Sequence, residues 1–247
     1  MSVNYKPKVV TDNLILYLDA ANSKSLVNSS SNFVDIATRR TSTMTGSYGY
    51  NSSLYSVPVL ELNNNGTSSD GQVQVVTDDL NTIAVNQNFT VMFAAKKNFF
   101  GLAGGNNGNS QLFQGATNGY ADGWRVIETN QGTPGGVFSG RQNWSFGYND
   151  IATALTVQDT VGSINRMCIV AFSVSPTTIS GFVNGNTSSI NNPRSYVSGP
   201  SLPRISWTGA GGGSWNGLVG FLMIYNRALT FEEVLQNYDS LRNRYGL

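Results

Sequence analysis

The chain is expected to fold as an all-β, antiparallel two-sheet jelly-roll sandwich with one C-terminal amphipathic helix, and three features of its 247 residues carry that expectation. Short runs of branched and aromatic residues recur between turns rich in Gly, Asn, Ser and Thr. Helical periodicity stands out only at 231–243. The stretch before it, Leu218 to Tyr225, is almost continuously apolar. Many short strands followed by one late helix indicate two sheets packed face to face. No internal repeat of fixed period appears, and nothing divides the chain. We therefore read one domain over 12–247, preceded by an extended arm over 1–11.

The elements follow in order. Asn13-Leu-Ile-Leu-Tyr-Leu18 reads as a first strand, and Val57 to Leu62 and Gln72 to Val76 as further short ones. Asn88-Phe-Thr-Val-Met-Phe-Ala-Ala95 reads as another strand. Trp124 to Glu128, Trp144 to Tyr148, Ala154 to Val157 and Met167 to Val174 continue the series. Ile179-Ser-Gly-Phe-Val183 runs into Asn184-Gly185, a pair whose tolerance of positive φ suits a tight hairpin. The final strand, 218–225, leads to Thr230, with Glu233 three residues on, the spacing of a capping box. A helix starts there. Phe231, Val234, Leu235, Tyr238 and Leu241 fall on one stripe, while Glu232, Gln236, Asn237, Asp239, Arg242 and Asn243 take the other side.

Composition narrows the function classes. Fifteen basic and 14 acidic residues, a net charge of +1, are spread along the chain, which leaves no electrostatic footprint for nucleic acid or an anionic membrane. No run approaches the length of a membrane span, and the N-terminus lacks the apolar core of a secretory signal. Cys168, the single cysteine, lies in an apolar strand, so no intrachain disulfide forms and synthesis in a reducing cytoplasm is expected. Asn-X-Ser/Thr triplets, as at Asn28, Asn51, Asn143 and Asn186, are expected by chance in so Asn/Ser/Thr-rich a chain. The chain contains no histidine, which excludes Ser-His-Asp and Cys-His nucleophile activation and imidazole-dependent zinc sites. Two Gly-rich segments, 101–110 and 209–217, lack the Gly-Lys-Ser/Thr ending of a phosphate loop and read as rim loops.

The closing segment Tyr225-Asn226-Arg227-Ala228-Leu229 with its helix resembles the C-terminal signature of the laminin-G-like branch of the concanavalin A-like lectin and glucanase superfamily. Asp12 to Asn22 resembles that family's first strand, Asn88 to Ala95 the strand after its Phe-Thr pair, and Ile179 to Asn186 its Asn-Gly hairpin. The lead Lys6-Pro-Lys-Val-Val-Thr-Asp12 is similar to that of virion components of tailed bacteriophages. The resemblance implies a non-enzymatic protein. The glucanases of the superfamily carry a Glu-X-Asp-X-X-Glu strand for their carboxylate pair, and this chain has none.

The resemblance also raises a calcium site at the sandwich rim, for which Asp70, Asp78 and Asp79 are the candidates. The family's Phe-Asp-Gly-X-Asp-Asp-Tyr segment is replaced here by Leu62-Asn-Asn-Asn-Gly-Thr-Ser-Ser-Asp70-Gly71. For sugar recognition, a flat ring stacks on the apolar face of a pyranose while polar neighbours bond its hydroxyls. Trp144, Trp207, Trp215, Tyr120 and Tyr148 lie in or beside polar loops and are the candidates. Packing beneath a loop is their alternative role. Trp124 reads instead as core.

Two functions follow as expectations. The first is a structural subunit on the virion surface of a tailed phage, in decoration, collar or fibre, forming a homo-oligomer. Its arm residues Tyr5, Pro7, Val9 and Val10 would dock on a neighbouring virion protein. The second is a lectin domain that engages host surface polysaccharide.

Overall fold

The computed structural model describes residues 7–26, 30–52, 54–63, 72–76, 87–97, 109–114, 124–129, 143–148, 151–159, 166–192, 203–206 and 215–247. Its strands are β1 (Leu14–Asp19), β2 (Asn32–Val34), β3 (Thr41–Thr45), β4 (Tyr48–Asn51), β5 (Val59–Leu62), β6 (Gln72–Gln74), β7 (Phe89–Lys97) and β8 (Asn109–Gln114). They continue as β9 (Trp124–Thr129), β10 (Asn143–Tyr148), β11 (Ile151–Gln158), β12 (Cys168–Val174), β13 (Thr178–Val183), β14 (Asn186–Asn191), β15 (Arg204–Ile205) and β16 (Gly217–Tyr225). Helix α1 (Phe231–Leu241) passes into a 3-10 turn, Arg242–Tyr245.

Two antiparallel eight-stranded sheets form a sandwich, as the sequence predicts. The first runs β14-β13-β12-β7-β16-β5-β4, the second β11-β10-β9-β8-β15-β6-β3-β2. β16 is the hub of the first sheet. One edge pairs with β7 along its length, and the other is shared end to end by β5, at Gly217 to Val219, and β1, at Phe221 to Tyr225. All nine of its residues are buried, with side chains packed into apolar layers on both faces, which is why its sequence shows no polar alternation.

Period-two alternation sends Val219, Leu222 and Ile224 of β16, Phe89, Val91 and Phe93 of β7, and Val170 and Phe172 of β12 inward to the core between the sheets. Leu218, Phe221, Met223 and Tyr225, with Met92, Ile169 and Ala171, point outward into a second apolar layer beneath α1 and the 3-10 turn. Without that cover the outer face of the first sheet would expose a large apolar patch, so the helix completes the fold.

The capping box forms as the spacing predicts: Thr230 Oγ1 accepts from Glu233 N–H at 3.3 Å and Glu233 Oε2 accepts from Thr230 N–H at 2.9 Å. Thr230→Ala is expected to cost about 1 kcal/mol, read by urea unfolding, with Thr230→Ser retaining most of it. The Asn-Gly turn is also as expected, Asn184 and Gly185 both having positive φ, at 45° and 99°.

Several short strands carry no strong signal. Thr41-Ser-Thr-Met-Thr45 buries only Ser42 and Met44, and Asn186-Thr-Ser-Ser-Ile-Asn191 is polar but for Ile190. The latter is a strand because the Asn-Gly turn folds it back onto β13 in register from Val183↔Asn186 to Thr178↔Asn191. Asn109 and Ser110, read as loop, open β8.

Two placements correct the helix reading. Asn237, assigned to the polar side, is fully buried: its Oδ1 accepts from Val10 N–H at 2.8 Å and its Nδ2 donates to the Tyr225 hydroxyl at 3.0 Å. Phe231, assigned to the docked stripe, is 49% exposed. The arm is corrected too. Tyr225 Oη donates to Val10 O at 2.9 Å and Gln236 Nε2 to Lys8 O at 2.7 Å, so Val9 and Val10 belong to the domain's own outer apolar layer rather than to a free arm. Pro7 is exposed, and Tyr5 lies outside the described residues.

Candidate functional site

The register of the first sheet lays two rows across its outer face. One runs Tyr225, Thr90, Ser173, Ser180, Ser189; the next runs Met223, Met92, Ala171, Phe182, Thr187. The inner members are consumed by structure: Thr90 Oγ1 accepts from Leu229 N–H at 2.8 Å, and Ser173 Oγ donates to Leu229 O at 2.9 Å, which anchors the link before α1. The outer members Ser180, Thr187 and Ser189 are exposed. Helix α1 stops short of them.

The space left between the first turn of α1 and the β13–β14 hairpin is a groove of about 530 Å³. Its floor is Phe182, buried, and its wall is Phe231, whose ring lies 6.3 Å from that of Phe182 and presents half of its surface to solvent. Phe182 is held from behind by Tyr238, 5.3 Å between centroids in an edge-to-face contact. Ser180, Thr187, Ser189 and Thr230 bring hydroxyls to the rest of its lining. A rigid aromatic beside several hydroxyls in an open groove can stack on an apolar face and exchange hydrogen bonds with a polyhydroxylated ligand. Its described lining residues include no carboxyl, imidazole, amine, thiol or phenol to act as general acid or base or to activate a hydroxyl.

Charge near the groove lies at the helix N-terminus. Arg227 grips Glu233 through both guanidinium nitrogens, at 2.6 and 2.7 Å, and reaches Asp12 at 3.1 Å. The Arg227 hydrogen bonds hold the Glu233 carboxyl below the usual carboxylate range. Glu232 and Glu233 occupy the first turn, where the helix dipole already favours negative charge.

The aromatic candidates are placed differently from expectation. Trp144 and Trp215 are fully buried, 5.5 Å apart, and Trp144 packs 5.3 Å from Phe93. Their assignment to sugar stacking is corrected: β10 turns Trp144 inward, and no ring face of either reaches solvent. Trp124 is core, stacked with Phe146 at 5.8 Å. Tyr148 ends β10 opposite Trp124 and Ile151. Trp207, Tyr120, Asp70, Asp78 and Asp79 lie outside the described residues, among which no group of three or more acidic or Cys residues forms a metal site. Also among the described residues, no helix is long and apolar enough to cross a membrane. Cys168 is an inert interior group, since burial pushes its thiol up.

Sequence reasoning missed the groove because Phe231 read as part of the docked stripe and Phe182 only as a member of a hairpin strand. The available signal was a polar run, Thr187-Ser-Ser189, paired across an Asn-Gly turn with a strand that carries an outward Phe.

Fold and site together define an antiparallel two-sheet β-sandwich with an open groove on one outer face, lined among the described residues by no charged side chain. No family model matches the sequence, and no curated protein does. Solved structures match over 92% of the chain. Domain 4 of AbnA, a GH43 extracellular arabinanase from Geobacillus stearothermophilus, in complex with arabinotriose, is 15% identical with a TM-score of 0.57 and is covered over 98% of its length. The binding domain of botulinum neurotoxin DC in complex with SialylT is 11% identical (TM-score 0.59, 52% covered). A botulinum neurotoxin type C structure, of a toxin whose cell entry depends on interaction with two ganglioside molecules, is 12% identical (TM-score 0.60, 51% covered). The chain thus spans about half the length of the toxin structures. At these identities the likeness is one of fold.

Proposed function

We propose that the chain is a non-enzymatic glycan-binding module and that the groove between α1 and the β13–β14 hairpin receives the sugar. The observation that carries this reading is the half-exposed ring of Phe231 beside a bank of exposed hydroxyls. The solved sandwiches of like fold include domains in complex with arabinotriose and SialylT, which supports glycan recognition over the particle-building role that the sequence resemblance first suggested. A place on a phage particle rests on that sequence resemblance alone. There the module would serve adhesion to host surface polysaccharide, with other virion proteins or further copies of the chain as neighbours.

On a glycan array the protein is expected to give competable signals. Phe231→Ala is expected to weaken them about 10- to 30-fold, the loss of one stacking anchor, at unchanged melting temperature, since the ring is half exposed. An array without signal, or binding indifferent to Phe231→Ala, refutes the reading.

A further inference from the structure

We infer that the ligand of this groove is a neutral, uncharged glycan, an inference that rests on the glycan-binding reading and specifies its chemical class. Among the described residues, no Lys, Arg, Asp or Glu lines the groove; its polar side chains are hydroxyls, and its apolar ones include two aromatic rings. A carboxylated or sulfated sugar would leave its water shell here without a cation to pair with, and an unpaired charge in a confined site is costly. Charge at the start of the helix does not supply one. The Arg227 guanidinium is engaged by Asp12 and by both carboxylate oxygens of Glu233, and Glu232 adds a further negative charge in the first turn.

The helix N-terminus, elsewhere an anion receptor, is closed by its own side chains. The Thr230 hydroxyl takes the Glu233 N–H, Glu233 takes the Thr230 N–H, and the two glutamates of the first turn answer the helix dipole. A hydroxyl is donor and acceptor at once, so Ser180, Thr187 and Ser189 can each exchange bonds with sugar hydroxyls in either direction. That is the chemistry of a neutral pyranose or furanose. The aromatic wall supplies the stacking face.

The test is calorimetry and array binding with pairs matched in size and linkage: the methyl ester of 3′-sialyllactose against 3′-sialyllactose itself, and α1,4-galactotriose against α1,4-trigalacturonate, with arabinotriose as a further neutral probe. Neutral members are expected to bind, acidic partners to bind about tenfold more weakly, and neutral binding to be indifferent to salt. Ser180→Lys, a substitution at an exposed groove position, is expected to raise acidic-member binding and introduce salt dependence. Tighter binding of the acidic members, or salt-sensitive binding by the unaltered protein, overturns the neutral class while leaving glycan recognition standing. Absence of signal from every neutral and acidic glycan on the array overturns both.

Discussion

Lys97→Met is expected to cost about 3 kcal/mol of stability near pH 7 and to regain most of it on acidification. Lys97 ends β7 in one sheet and Glu128 sits on β9 in the other; their Nζ and Oε2 atoms are 2.9 Å apart with both side chains buried. The pair bridges the sandwich within its core. Burial pushes the Glu128 carboxyl up from its usual 4.5, against the pull of Lys97, and Oε1 has no hydrogen-bond partner among the described residues. Removing the ammonium leaves a buried carboxylate that folds most cheaply by taking up a proton. Near pH 7 that uptake costs about 2.5 pKa units, or about 3 kcal/mol.

The sign follows from the direction of the shift. A carboxyl whose folded pKa is raised adds stability below its unfolded value and loses it as pH rises toward the folded one. The deficit of Lys97→Met should therefore shrink between about pH 7 and about pH 5. The double variant Lys97→Met/Glu128→Leu, which removes both charges, is expected to return to within about 1 kcal/mol of the parent or to exceed it. Urea unfolding at the two pH values decides. A deficit that ignores pH, or a double variant as weak as the single, shows that the pair matters for packing rather than for charge.

Gly217→Ala should be comparably damaging for a steric reason. A Cβ at this position would stand 2.1 Å from Lys96 O and 2.9 Å from Lys97 Cα, both backbone atoms. Gly217 is flanked on both sides, by Lys97 of β7 and by Leu62 of β5, so the strand cannot move aside without breaking a ladder. About 4 kcal/mol is expected, the upper range for overpacking, or a fall in melting temperature of about 8 to 16 °C. Gly49 of β4 is the control. Its added Cβ would meet nothing within 4 Å, and Gly49→Ala is expected to change stability by about 0.5 kcal/mol or less. Equal melting temperatures for the two variants would refute the close-approach argument.

The two substitutions probe one end of the sandwich, where β7, β9 and β16 converge over Trp144 and Trp215. That convergence is what turned two tryptophans that looked available for ligand into core. Position along β10 makes Trp144 a loop neighbour in sequence; its register opposite Glu128 and Val157 makes it an inward residue in space.

The sequence alone determined the elements whose causes are local. The capping box at Thr230, the Asn-Gly turn, the apolar run of β16 and the all-β class follow from side chains and backbone within a few residues of one another. Only the tertiary structure decided which faces stay open. The burial of Asn237 and the docking of Val10 depend on how α1 lies over Tyr225 of β16, and the exposure of Phe231 on where the first turn of α1 stands relative to β13 and β14, strands 40 or more residues away in the chain. A hydrophobic period states that a residue has an apolar neighbour to seek. Whether that neighbour arrives is set by sheet register and helix length, which no local pattern encodes.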